Sequence, residues 1–122
     1  MTSSMILIVD DQPIGREILE ELLFSPDYTL VFACNGAEGL QKAFEVFPDL
    51  ILLDVMMPDM SGYDAIRLIR EQKPLIRIIA HTAYASCEEY IKAMDSGCDD
   101  YISKPAKKEV LLSKINFNLG KI

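Results

Sequence analysis

The residues best equipped for chemistry stand at the ends of apolar runs. Asp10 and Asp11 follow "MILIV", Asp54 follows "LILL", Thr82 follows "IRIIAH" and Lys104 follows "YIS". Short apolar runs of this kind are buried strands, and a buried strand is a poor home for a carboxylate. Each polar residue therefore marks either the point where a strand surfaces or a specially held site. If the strands ending in Asp10 and Asp54 are neighbours, three carboxylates meet at one sheet edge. At about 5 Å and an effective dielectric near 20, each pair repels by about 3 kcal/mol. Lys104 supplies one countercharge. A hard divalent cation would supply two more, and Mg2+ suits a few carboxylates, waters and a phosphate. Taken singly, an acid or a lysine at a strand end is an ordinary solvated loop residue, and Asp11 could be only a helix-start acid. Five such residues on four strand ends form a pattern.

The elements that must position them alternate along the chain. Met5 to Val9 reads as the first strand. Pro13 suits a first helical position, and Ile14, Ile18, Leu19, Leu22 and Leu23 follow helical spacing. Tyr28 to Ala33 reads as strand two. Asn35 suits the cap of a helix carrying Ala37, Leu40, Ala43, Phe44 and Phe47 on one face. Leu50 to Leu53 is strand three. Ser61 to Asp64 has the form of a capping box before Ala65, Ile66 and Ile69. Ile76 to Ala80 is strand four. Ser86 to Glu89 is a second capping box, leading to Ile91 and Met94, and Gly97 ends that helix. Tyr101-Ile102 is a short fifth strand, and Lys107 to Leu119 a last helix buried through Leu111, Leu112 and Ile115.

Five βα units with near-continuous apolar strands imply an α/β fold: one five-stranded parallel sheet, doubly wound, with helices on both faces. Right-handed crossovers favour the flavodoxin-like order 2-1-3-4-5. The crevice in such a sheet lies at the carboxyl ends of strands one and three, where the winding reverses. That is where the acids fall.

Composition bounds the rest. The 122 residues read as one domain, 1–122, half hydrophobic and a quarter charged. No apolar run approaches the ~20 residues of a membrane span, and no signal-peptide pattern opens the chain. Cys34, Cys87 and Cys98 are scattered and odd in number, which predicts reduced thiols and a cytoplasmic setting. A net charge of −7 argues against direct nucleic-acid binding and against membrane association.

The segments "ILIVDDQP", "PDLILLDVMMPDMSGYDAIRLIR", "IRIIAHTAYA" and "MDSGCDDYISKP" together resemble a response-regulator receiver domain of two-component phosphorelay signalling. The resemblance covers essentially the whole chain. It implies a phosphorylation-dependent switch in which Asp54 is the phosphoacceptor and the donor is a histidine kinase or a histidine phosphotransfer domain. It implies that Asp11, Asp54 and the backbone carbonyl of Met56 ligate Mg2+, while Asp10 orients a metal-bound water. Lys104 would pair with the phosphoryl oxygens, Thr82 would donate its hydroxyl to the attached group, and Tyr101 would change rotamer with it. It also implies a cis bond between Lys104 and Pro105, and intrinsic phosphorylation from small donors and self-dephosphorylation rather than classical enzyme action. Output would pass to a downstream protein or covalently attached domains. "GCDDYISKP" and "IIAHTAYA" resemble receivers attached to hybrid histidine kinases, which favours a larger parent protein over a stand-alone receiver.

Rival readings fit less well. An aspartyl-nucleophile phosphatase wants a second acid two residues beyond Asp54, where Met56 stands. A flavodoxin-like nucleotide binder wants a Ser/Thr/Gly loop after strand one rather than Asp10-Asp11. A degenerate receiver that only docks would have lost part of the acid, Thr and Lys set. Pro58 stops the strand, and Gly62 gives a flexible entry to the next helix. Met57 is open to a plain loop-packing role. Four positions depart from the family pattern or bear on lifetime. His81 stands where an aliphatic residue is usual, and is read as a satisfied, partly buried strand histidine. Ala106 stands where a bulky apolar residue is usual. Met56 and Tyr84 are bulky and stand at positions that, in similar domains, flank the phosphoryl group, and the resemblance therefore implies a long-lived phosphorylated state.

Overall fold

The computed structural model describes residues 3–83 and 86–121. Ten elements alternate: β1 (Ser4–Val9), α1 (Pro13–Leu22), β2 (Tyr28–Ala33), α2 (Gly36–Glu45), β3 (Leu50–Asp54), α3 (Gly62–Gln72), β4 (Arg77–Thr82), α4 (Cys87–Ser96), β5 (Asp100–Ser103) and α5 (Lys108–Asn118). The strands form one parallel sheet in the order β2-β1-β3-β4-β5, with Val9 opposite Leu53 and Asp54 opposite His81. The winding reverses between β1 and β3, as the crossover rule predicts.

Period-two alternation divides the sheet into two apolar layers. Ile6, Ile8, Leu50, Leu52, Ile79 and Ile102 pack under α1 and α5 through Leu19, Leu23, Leu111 and Ile115. Leu7, Val9, Ile51, Leu53, Ile78 and Ala80 pack under the other three helices through Ala43, Ala65, Ile66, Ile69 and Ala93. Each fully buried Leu or Ile stabilises the fold by roughly 1.5–3 kcal/mol, so the strands are fixed in register by both layers.

Helix ends follow their local chemistry. Pro13 opens α1, the Asn35 side chain accepts from Glu38 N at 2.8 Å, and Gly97 closes α4 with φ of +113°. The two capping boxes are only half made. Ser86 Oγ accepts from Glu89 N at 3.1 Å, but the Glu89 carboxylate turns to Tyr63 and Lys92. Ser61 Oγ accepts from Tyr63 N, and Asp64 pairs with Arg67 instead of reaching back.

Several apolar side chains face away from the core, against the helical-spacing reading. Ile14 and Ile18 of α1 are 70% and 51% exposed, and Ile91 of α4 is 56% exposed. In α2 the buried face is Gly36, Gly39 and Ala43, while Ala37 and Phe44 lie outward, and Phe47, expected on the helix, falls beyond its end with φ of +50° and is exposed. The reason is steric. A Cβ on Gly39 would lie 2.8 Å from Val9 Cγ1, so this helix sits closer to β1 than any larger side chain allows. Phe47 instead lies beneath the Lys73 ammonium, 4.2 Å from the ring centre.

Candidate functional site

Strand alternation places the site. Asp10, Asp54, His81 and Lys104 lie two residues beyond Ile8, Leu52, Ile79 and Ile102, so all four inherit the α1/α5 face. The ladder continues past two strands: Asp10 N donates to Ala33 O at 3.1 Å and Lys104 N to Thr82 O at 2.7 Å. Thr82, two beyond Ala80, belongs to the opposite face and is fully buried.

Lys104 Nζ bridges two carboxylates, 2.9 Å from Asp10 Oδ2 and 3.1 Å from Asp54 Oδ2. The other carboxylate oxygens accept from backbone: Asp10 Oδ1 from Gln12 N and Asp54 Oδ1 from Met56 N, both at 2.9 Å. Both residues are almost wholly buried, Asp10 at 1% exposure and Asp54 at 6%. Asp11 is half-buried and completes the group; Asp10, Asp11 and Asp54 each offer an oxygen within 4.8 Å of the others. Three acids and one ammonium leave a local charge of about −2, which a single divalent cation would cancel. The all-oxygen donor set suits a hard cation.

The electrostatics of the two central groups differ. Burial pushes the Asp54 carboxyl above its usual range, only partly offset by the Met56 N–H and the Lys104 charge. Burial works against the Lys104 ammonium, but its hydrogen bond to Asp10 and the nearby Asp54 charge outweigh this and raise its pKa. The cluster opens into a cleft of about 890 Å3 bordered by Asp11, Asp54, Met56, Pro58, Tyr63 and Lys104. A group the size of a phosphoryl therefore reaches Asp54 from solvent.

Two glycines are required by space. A Cβ on Gly15 would fall 2.6 Å from Asp10 Oδ2, so α1 passes directly over that carboxylate. A Cβ on Gly62 would fall 2.2 Å from Val55 Cα, so this glycine serves close packing rather than a flexible helix entry. Met56 is 49% exposed at the cleft and forms an isolated bridge with Ser61, whereas Met57 is buried in the core. Tyr101 is half-buried, its ring 5.7 Å from that of Tyr90 in an edge-on arrangement. The Lys104–Pro105 peptide is cis. Tyr84 lies outside the described residues.

His81 is buried, as expected of a strand residue, but it is not satisfied. Its Nε2 has no hydrogen-bond partner among the described residues, and burial lowers its pKa to about 4. Cys98 is buried and its thiol is pushed up to about 11 by burial, while Cys34 and Cys87 are exposed and free. Asp59 escaped the sequence reading. Its carboxylate accepts from Gly36 N at 3.0 Å and Ala37 N at 3.1 Å, tying the loop after β3 to the start of α2. Those bonds hold its pKa below the usual carboxylate range. No local signal marks a partner 23 residues upstream.

Comparison with known proteins agrees with this geometry. The family model described as "Response regulator receiver domain" matches residues 6–116. The DNA-binding response regulator MtrA of Mycolicibacterium smegmatis is 33% identical over 114 residues, covering 93% of this chain and 50% of MtrA. The hybrid signal transduction histidine kinase D of Dictyostelium discoideum is 38% identical over 113 residues, covering 91% of this chain and 7% of that kinase. Among solved structures, a CheY-like receiver domain protein from Methanospirillum hungatei superposes with a TM-score of 0.91 at 33% identity, covering 98% of this chain and 95% of its own. The chain spans about half the length, or less, of the curated relatives it matches. Among the described residues no helix is long and apolar enough to cross a membrane. With its sheet order, its acid cluster at the winding reversal and a family match over nearly its full length, this chain belongs to the receiver-domain family of two-component response regulators, the signalling switches of phosphorelays.

Proposed function

We propose that this chain, as one receiver domain over residues 1–122, takes a phosphoryl group on Asp54 from a phosphohistidine of a histidine kinase or histidine phosphotransfer domain. The observation that carries the reading is the Lys104 ammonium held between Asp10 and Asp54, with Asp11 beside them, at the floor of an open cleft. An Asp54 oxygen attacks phosphorus, the new P–O bond forms as the P–N bond breaks, and the departing imidazole takes up a proton. Phosphoryl transfer asks a protein mainly for alignment and charge compensation. The Met56 N–H fixes one Asp54 oxygen and so aims the other. Lys104 supplies positive charge to the equatorial oxygens.

Asp11, Asp54 and the Met56 carbonyl would hold Mg2+, with Asp10 acting through a water. The ion would supply Lewis-acid neutralisation of charge on the transferring group. Attachment adds about −1.5 to −2 charge units at Asp54. Thr82 then donates its hydroxyl to the group, Tyr101 packs inward, and the α4–β5–α5 surface shifts between two states. Output passes to a downstream protein or a covalently attached domain. The receiver surface, at net charge −7, is not itself a nucleic-acid reader.

The test is incubation with acetyl phosphate, with and without Mg2+, followed by intact mass. An acid-stable, base-labile adduct of one phosphoryl group is expected only with Mg2+, and is lost in Asp54→Asn. Absence of the adduct, or its persistence in that variant, would overturn the reading.

A further inference from the structure

Helix α4 is anchored unequally at its two ends. Its last turn is packed into the fold. Ala93 and Ser96 are buried, and Arg70 of α3 donates to Gly97 O at 2.9 Å while its other nitrogens hold Ile76 O and the Asp99 carboxylate. The first half differs: from Cys87 to Lys92 no residue is buried. Apolar burial therefore does little to hold it, and segments of this kind lie at the low end of local stability. Among the described residues, a hydrogen bond and a ring contact tie it to its neighbours. Tyr63 Oη, on α3, donates to the Glu89 carboxylate. Tyr90 rests edge-on against Tyr101, the ring centres 5.7 Å apart. Burial, and then the bonded Glu89 carboxylate, raise the Tyr63 pKa, so the phenol keeps its proton and acts as the donor.

We infer that the Tyr63–Glu89 hydrogen bond is an autoinhibitory latch: it holds the first half of α4 against α3 in the unphosphorylated chain and must open before the phosphorylated conformation forms. The inference rests on Asp54 being the phosphoacceptor. Ser86, which caps α4, stands four residues beyond Thr82. Closure of Thr82 onto a phosphoryl group therefore draws on the start of the helix, while Arg70 keeps its end in place. The helix pivots about Ala93 to Gly97. Tyr101, by turning inward, gives up its contact with Tyr90. Tyr63–Glu89 is then the bond that resists the movement. Its place suits a relay, since Tyr63 also borders the acid cleft. The acceptor is charged, which strengthens the bond, and the Glu89 side chain is 22% exposed, so water takes back part of that gain. A bond of this kind shifts a two-state equilibrium by about five- to tenfold, and the apparent affinity for a phosphoryl group falls by the same fraction.

The test combines amide hydrogen exchange with titration by beryllofluoride, a phosphoryl mimic added with Mg2+, on wild type, Tyr63→Phe, Glu89→Ala and the double variant. Without ligand, Tyr63→Phe is expected to exchange about five- to tenfold faster at the Tyr90, Ile91 and Lys92 amides, with the Cys98 amide unchanged. Its beryllofluoride affinity is expected to tighten by about five- to tenfold, which a merely structural role would not do. Adding Tyr63→Phe to Glu89→Ala is expected to change neither readout further, because the bond is already gone. Unchanged exchange in Tyr63→Phe, or a further gain in the double variant, would overturn the inference. Equal beryllofluoride affinity in all four chains would overturn the latch alone, whereas no binding to any chain would overturn the Asp54 reading beneath it. Should Tyr63→Phe fail to fold, wild type decides: saturating beryllofluoride that speeds exchange at Tyr90 to Lys92 supports the latch, and unchanged or slower exchange there refutes it.

Discussion

Replacing Asp11 by Asn isolates the electrostatic cost of the site. The three acids offer oxygens within 4.8 Å of one another. At such a spacing, with an effective dielectric of about 20, each like-charged pair repels by about 3.5 kcal/mol. Asp11 takes part in two pairs, so the unscreened cost is about 7 kcal/mol. The Lys104 ammonium, held by Asp10 and Asp54, offsets roughly one pair. Asp11 is half-buried, and water screens most of the remainder, leaving about 1–2 kcal/mol. For a chain of 122 residues that corresponds to a rise in Tm of about 4–8 °C for Asp11→Asn. The assay is calorimetric unfolding in a chelator, repeated with Mg2+. In chelator the variant unfolds at the higher temperature. With Mg2+ the wild type gains stability by ligand binding while the variant does not, so the gap narrows or inverts. An unchanged or lowered Tm in chelator would show that the acids do not repel as their spacing implies.

Other expectations follow from single contacts. The Asp54 pKa is raised in the fold, so its favourable contribution is present below the ordinary carboxylate range and lost as pH rises through the raised value. Metal-free Asp54→Asn should therefore gain stability over wild type as pH climbs from 4 to 7, and a gain that shrinks over that window in pH-dependent unfolding would contradict the sign. Gly15→Ala places a Cβ 2.6 Å from Asp10 Oδ2, and overpacking of this kind costs about 1–3 kcal/mol. Calorimetric titration should show Mg2+ affinity at least about tenfold weaker in that variant, the equivalent of about 1.4 kcal/mol, and unchanged affinity would mean that α1 yields without moving the carboxylate. Asp59→Ala removes the acceptor for two amides of α2, so hydrogen exchange at Gly36 and Ala37 should accelerate, and retained protection would show that the loop does not hold the helix.

What the sequence displayed clearly was whatever period two could carry. Apolar strands ending in Asp10, Asp54 and Lys104 gave the sheet, its order and the convergence of those side chains, because alternation transmits facing from Ile8 and Leu52 to the acids. Strand ends differ by one or two residues, since pairing continues past the last apolar side chain, as at Thr82 and Ser103. Helix faces were harder to see. The inner face of α2 is made by Gly36, Gly39 and Ala43, residues that a search for large apolar side chains passes over, whereas Phe44 fits the period and faces outward and Phe47 lies past the helix end. Contacts across the chain left no trace in local sequence, among them Asp59 with α2, Gly15 over Asp10, and the close packing that leaves His81 Nε2 without a partner among the described residues. Each depends on how closely two elements approach, which spacing along one element does not encode.

The central claim is that Asp54, among three acids in one cluster, is the nucleophile. Reductive trapping tests it most directly. The chain is phosphorylated with acetyl phosphate and Mg2+, treated with borohydride to convert an acyl phosphate to the alcohol, digested, and mapped by mass spectrometry. Homoserine at position 54 alone is the predicted result. Homoserine at position 10 or 11, or no reduced aspartate in a chain that carries the adduct, would contradict it.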